Sequence, residues 1–285
     1  MSYKIVVDSC CDITEDMKSW GNLQIVPLTL QIGDYITLDD ENFNQDDFIG
    51  KMVNSDQLAK SACPSPDAFA KAIEGDEEQV YILTITDKLS GCYNSALQGV
   101  ELYKDEHEDG KQIYVFNSLA TSGIETILAH KIKETADSGA DFDTVIKTVN
   151  DYCVNNCGLY FCLESLDALK GNGRLFNLGA KVIEALKVKL ICKRTTEGNI
   201  SLAGKDFSQS RALNKLAGLV AKETDGCNLE NKVCIISHVC CEKKANSVAS
   251  LIKQHCNFKD IIILKASGLN SLYASNNGII VSFSK

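Results

Sequence analysis

The sequence predicts an α/β protein of two domains: an N-terminal doubly wound, mostly parallel sheet, then a C-terminal α/β domain with a mixed sheet. Three observations predict it. Over the first half, β-branched runs alternate with apolar stripes at helical spacing, the signature of parallel strands joined by crossover helices. After about Gly158 a hairpin pattern breaks that alternation. The length, 285 residues, also suits two units, at about 150 residues each. No proline-rich linker marks a boundary, so the change of pattern alone divides the chain into 1–157 and 158–285, with the C-terminal strands free to return to the first domain.

Tyr3–Val7 reads as a buried strand ending at Asp8-Ser9, and Leu23–Leu30 as a second strand. The charged stretch Asp34–Asp47, with Asp39, Asp40 and Glu41, reads as a solvated loop leading into a helix near Phe48–Met52. Two of the three prolines lie in Ser61-Ala62-Cys63-Pro64-Ser65-Pro66. They fix φ twice and make the loop rigid, with Ser65 or Pro66 starting the next helix. Val80–Thr84 is a strand, Thr86–Gly91 a turn and Tyr93–Tyr103 a helix. Ile113–Phe116 is a strand tipped by Asn117-Ser118, and Ile124, Ile127, Leu128, Ile132 and Ala136 stripe a long helix. In doubly wound sheets ligands sit beyond the carboxyl ends of the strands, where Asp8-Ser9, Ser90-Gly91 and Asn117-Ser118 gather.

In the second half, Leu159–Leu163 reads as a strand, Leu166–Leu169 as a helical piece, and Val188–Cys192 with Ile200–Ala203 as a hairpin about Glu197-Gly198-Asn199. Helical stripes run through Leu213–Val220 and Ala245–Ile252, the second after the strand Val233–Ser237, and Ile261–Leu264 and Ile279–Phe283 are the last strands.

Lys and Arg number 29 against 38 Asp and Glu, a formal charge of −9. Such a chain repels phosphate backbones and anionic bilayers, which argues against nucleic-acid partners. The opening MSYKIVVDSCCD lacks the pattern of a signal peptide and no stretch has the length of a membrane span, so we expect a cytoplasmic protein without a stable membrane anchor. Thirteen cysteines, an odd number with no Cys-x-x-Cys, fit small buried side chains better than a disulfide framework or a metal site.

Ser90-Gly91 stands between a strand and a helix, where the hydroxyl caps the helix or backbone N–H groups face an anion. Gly171-Asn172-Gly173-Arg174 is a glycine-flanked arginine without the spacing of a phosphate loop. His107, His130, His238 and His255 form no triad pattern with a serine, and no dinucleotide, nucleotide or metal motif is present, so neither cofactor nor metal is expected.

Taken in order, these segments resemble the DegV family of fatty-acid-binding proteins. The resemblance rests on Asp8-Ser9-Cys10-Cys11-Asp12, Val26-Pro27-Leu28, the Ser61–Pro66 loop, Ser90-Gly91-Cys92-Tyr93-Asn94-Ser95-Ala96, Asn117-Ser118, and Leu169–Arg174 with Asn172 between the glycines. It implies two α/β domains with an apolar tunnel between them and one long-chain fatty acid inside. The carboxylate would be held at Ser61, Ser90 and Gly91, with Asn117, Ser118, Ala274, Asn276 and Asn277 close to the ligand. It also implies a non-enzymatic carrier that presents its lipid to a separate ATP-dependent fatty acid kinase for acyl phosphate formation, docking through Arg174 and Arg211. The chain departs from the family at two places. The family's histidine segment reads Ala274-Ser275-Asn276-Asn277-Gly278 here, and Phe207 stands where a docking arginine is usual. The alternative is an enzyme acting on a carboxylated or phosphorylated metabolite at Ser90-Gly91, with Asp8 or Asp12 as general base.

Overall fold

The structure, a computed structural model, describes residues 2–175 and 188–285. In the first sheet β2 (Leu23–Val26), β1 (Tyr3–Asp8), β6 (Gln79–Thr84) and β7 (Gln112–Asn117) lie side by side in that order, every neighbour parallel. Helices cover both faces, which is why β6 is buried at every residue and reads as an unbroken apolar run. Val6, Val80 and Ile82 face Phe69 of α2 (Pro66–Ile73) and Ala96 of α3 (Cys92–Glu106). Ile5, Val7 and Leu83 face Ile124 and Ile127 of α4 (Gly123–Asp137) and Val145 of α5 (Phe142–Asn155).

The second sheet is mixed, in the order β10 (Ile200–Asp206), β9 (Lys189–Arg194), β8 (Cys157–Cys162), β13 (Ile279–Ser284), β11 (Val233–His238) and β12 (Asp260–Lys265). Only β11 and β12 run parallel. One face packs on α7 (Gln209–Glu223) and α8 (Glu242–Lys253), with Phe283 and Ile236 against Leu216 and Val248. The other face, with Leu159, Phe161, Cys192 and Ile280, joins the apolar cluster that contains Ile5 and Val7, so one core runs between the two sheets. Gly123 makes that approach close. A Cβ there would lie 2.9 Å from the Cβ atoms of Ile235 and Ser282.

Two expectations need correcting. Leu23–Leu30 is not one strand: it breaks at Pro27, which has no N–H to donate, and resumes as β3 (Thr29–Ile32) in a separate antiparallel sheet with β4 (Tyr35–Leu38) and β5 (Lys60–Ala62). Ser9 Oγ accepts from Leu28 N at 3.1 Å just past the break. Asp34–Asp47 is not a solvated loop either. Gly33, at φ +58°, turns the chain into β4, and Asp39 is buried. Its carboxylate accepts from Gly268 N at 2.6 Å and Leu269 N at 2.8 Å, satisfying orphan donors at the start of α9 (Gly268–Ala274). Flanking charges hid a short strand and a buried acid. The helix near Phe48–Met52 is α1 (Gln45–Val53), capped by Asn44, and the piece near Leu166–Leu169 is α6 (Asp167–Gly171).

Candidate functional site

A cavity of about 340 Å³ lies between the sheets. That falls within the about 300–1,000 Å³ usual for small-molecule sites. Leu159, Phe161, Leu163, Ile200 and Ile280 from the second sheet and its loops face Ile85, Leu89 and Ala120 from the first, so most of the wall is hydrocarbon. Polar groups collect where β5, α6, α9 and the start of α3 meet. Ser61 Oγ and Tyr273 Oη share a hydrogen bond of 3.0 Å, and the Arg174 guanidinium lies 5.7 Å from the centre of the Tyr273 ring.

Local sequence explains these positions. Ser61 sits in β5 beside Leu30, and the two prolines carry the chain from it into α2, where Ser65 caps the helix by accepting from Ala68 N. Ser95 Oγ donates to Pro64 O at 2.6 Å, pinning the loop to α3. Ser90 Oγ accepts from Cys92 N at 3.3 Å and donates to Cys92 Sγ at 3.1 Å, while Gly91 is the capping residue of α3. A Cβ at Gly91 would stand 3.3 Å from Cys63 Sγ. Asn172 ties the Arg174 loop to its surroundings, donating to Ala59 O at 3.0 Å and accepting from Arg174 Nη1, and Arg174 Nε donates to Leu89 O at 3.3 Å.

The residues singled out from sequence do not all gather. Ser61, Ser90, Gly91, Ala274 and Arg174 line the cavity. Asn276, Asn277, Asn117 and Ser118 are not among its lining residues. Asn117 donates to Asp87 Oδ1 at 2.8 Å, the buried Ser118 hydroxyl donates to Ala120 O, and the positive φ of Asn277 serves the turn before β13. Arg174, expected at a docking surface, is in the cavity wall, whereas Arg211 is exposed and paired with Asp206 at 2.8 Å. Sequence reasoning missed Tyr273, Thr121 and Arg194. Tyr273 carried a signal, since it is a hydroxyl-bearing residue next to Ala274, which the sequence had singled out.

Neither acid of the enzymatic alternative lines the cavity. Asp12 is buried, and its two oxygens take four donors: Ser122 Oγ, Ser237 Oγ at 2.5 Å, Ser267 N at 2.8 Å and Asn270 Nδ2 at 3.0 Å. Asp8 accepts from Cys10 N at 3.0 Å and Ile85 N at 2.9 Å, and burial raises its pKa. Beside it Glu125 is fully buried with both oxygens unpartnered, and burial together with the nearby Asp8 pushes its pKa well above the usual carboxylate range. One ligand atom each from Asp8, Cys10 and Glu125 lie within 4.8 Å of one another, close enough to hold a metal ion and equally close enough to share a proton. Ten of the thirteen cysteines are buried, as small side chains within the packing. No helix among the described residues is long and apolar enough to cross a membrane.

Fold and cavity together define a class: an α/β protein whose parallel and mixed sheets enclose a largely apolar chamber, with the Ser61 and Tyr273 hydroxyls and the Arg174 guanidinium toward one end. The chain belongs to the DegV family, whose model, described as "Uncharacterised protein, DegV family", matches residues 2–284. A DegV domain-containing protein of Streptococcus gordonii is 32% identical over 285 residues, 99% of each chain. Among solved structures, a DegV family protein from Ruminococcus gnavus, refined with vaccenic acid, superposes with a TM-score of 0.93 at 38% identity over 99% of each chain. The Streptococcus pneumoniae Fatty Acid Kinase (Fak) B3 protein, loaded with linoleic acid, gives 0.89 at 29% identity over 100% of this chain and 99% of the other. A Eubacterium eligens DegV protein loaded with heptadecanoic acid gives 0.88 at 29% over all of both chains.

Proposed function

We propose that the protein carries one long-chain fatty acid, its tail in the cavity and its carboxylate at the Ser61–Tyr273 pair, with Ser90, Gly91 and Arg174 alongside. The observation that carries this reading is the contrast within one chamber, hydrocarbon walls with hydroxyls and a guanidinium gathered at α9 and β5. A desolvated carboxylate needs several donors, and charge-assisted bonds from Arg and hydroxyls are the strong ones. The tail supplies most of the affinity, at about 0.8 kcal/mol for each buried CH₂. Solved relatives holding vaccenic, linoleic and heptadecanoic acids support the ligand class. In this reading Arg174 serves the ligand, and Tyr273 takes the place of the missing histidine.

The likeness to a protein named for fatty acid kinase extends the proposal to a partner: a separate ATP-dependent kinase that phosphorylates the presented carboxylate, with no catalytic step performed by this chain. Arg211 and the exposed Phe207 belong to the surface offered to it. We place the domain boundary at 157/158, just past the end of α5 and at the first residue of β8, where the mixed sheet begins. Native mass spectrometry of the purified protein, followed by extraction and identification of what it releases, tests the carrier. A fatty acid at one per chain is expected. A protein that is empty and refuses added palmitate and oleate would sink the reading.

A further inference from the structure

The cavity has a second end. β8 runs along its wall, and β8 serves as a ruler. At one end Ile279 pairs with Cys162, and the adjoining Gly278 abuts Ala274, which puts α9 and Tyr273 there. At the other end Leu159, two residues into β8, stands opposite Arg194 in the register that pairs Tyr160 with Lys193. Leu159 to Cys162 is three residues, about 10 Å at the rise of a strand. Arg194 therefore lies toward the end remote from Tyr273.

Its surroundings are unusual for the tail end of an apolar chamber. Arg194 Nη2 donates to the carbonyls of Cys153 and Cys157, at 2.7 Å for Cys153, bridging the last turn of α5 to the start of β8. Nη1 is buried without a partner, and no carboxylate among the described residues pairs with the guanidinium. Beyond Arg194 lies a groove of about 610 Å³ that Leu159 and Arg194 also line, with Lys193 and Lys222 in its wall and Lys285 paired with Glu223 at 2.8 Å. Arg194 and Leu159 are thus common to the inner cavity and the outer groove.

We propose that Arg194 is the end wall that limits the length of acyl tail the cavity accepts, separating the chamber from the groove outside. The proposal rests on the fatty-acid reading and adds a specificity-determining residue to it. An arginine suits the role because its two carbonyl bonds fix the side chain across the gap, where an aliphatic residue would be held by packing alone.

The test is a displacement titration of a series of saturated acids, from laurate through palmitate and arachidate to behenate, against the wild-type protein, Arg194→Ala and Leu159→Ala. While the tail still has wall to cover, affinity rises about fourfold per methylene. Past the end wall it stops rising. Both variants should shift that break to longer acids, since each removes part of the partition, and Leu159→Ala leaves the arginine's bonds in place should Arg194→Ala fold poorly. A break at the same chain length in either variant with a native circular dichroism spectrum overturns the end wall alone. Absence of binding by any acid to the wild type overturns the fatty-acid reading, and the end wall with it.

Discussion

Replacing Asp12 by alanine should cost more than any exposed substitution in the chain. The carboxylate joins four elements that are remote in sequence: the loop after β1, Ser122 before α4, Ser237 in β11, and Ser267 with Asn270 at α9. Each bond to a charged group contributes about 1.5–3 kcal/mol, but four sharing one acceptor do not add. Asp12→Ala leaves four neutral donors without their acceptor, at about 1–3 kcal/mol for each that stays unsatisfied, and with some finding new partners the expected loss is about 3–5 kcal/mol. Asp12→Asn should lose less, about 1–3 kcal/mol. Its remaining oxygen keeps Ser267 N and Asn270, and the two serine hydroxyls can rotate to accept from the new amide. Urea unfolding followed by far-ultraviolet circular dichroism and by fluorescence measures this. The chain's single tryptophan, Trp20, packs on His130 of α4 and so reports the first half alone. The two signals should coincide in the wild type and separate in Asp12→Ala, where the halves have lost their clamp. A loss under about 1 kcal/mol, with both signals still coincident, would show that the carboxylate does not join the halves.

Other outcomes follow from the same geometry. Tyr273→Phe should leave stability nearly unchanged and weaken fatty-acid binding by roughly tenfold or more, the worth of one donor to a carboxylate; unchanged occupancy in native mass spectra would remove Tyr273 from the site. Gly123→Ala should destabilise by about 1–3 kcal/mol through overpacking against Ile235 and Ser282, and an unaltered thermal midpoint would contradict the close approach. Burial raises the pKa of Asp39 from 3.8 to about 7. Its contribution is therefore full below 3.8 and lost as pH climbs through about 7. Asp39→Asn should lack that component, so its urea midpoint should fall less than the wild type's between about pH 5 and about pH 8; equal falls would refute the assignment.

What was legible in the sequence is local. Ser61 and Ser90 could be picked out because prolines and a strand-to-helix turn surround them, and these features act on neighbouring residues. The parallel first sheet was legible because both its faces are covered, which leaves uninterrupted apolar runs. Tyr273, Arg194 and the Asp12 clamp were not, because their partners lie far along the chain: Ser61 with Tyr273, Arg194 with Cys153, Asp12 with Ser237. Asp39 failed for another reason. Its neighbours Asp40 and Glu41 are solvated acids, and only the fold distinguishes the one carboxylate that meets a helix start.

β13 is the last of the six strands of the mixed sheet to leave the ribosome, yet it lies between β8 and β11, buried throughout. Until it arrives, β10-β9-β8 and β11-β12 are separate ribbons with facing unpaired edges, the kind of surface that recruits other chains. The chamber is also short of Ile280 until that moment. The first sheet can mature during translation, whereas the second must wait for its keystone, so this half is where nascent chains are most exposed to misassembly and most dependent on chaperones.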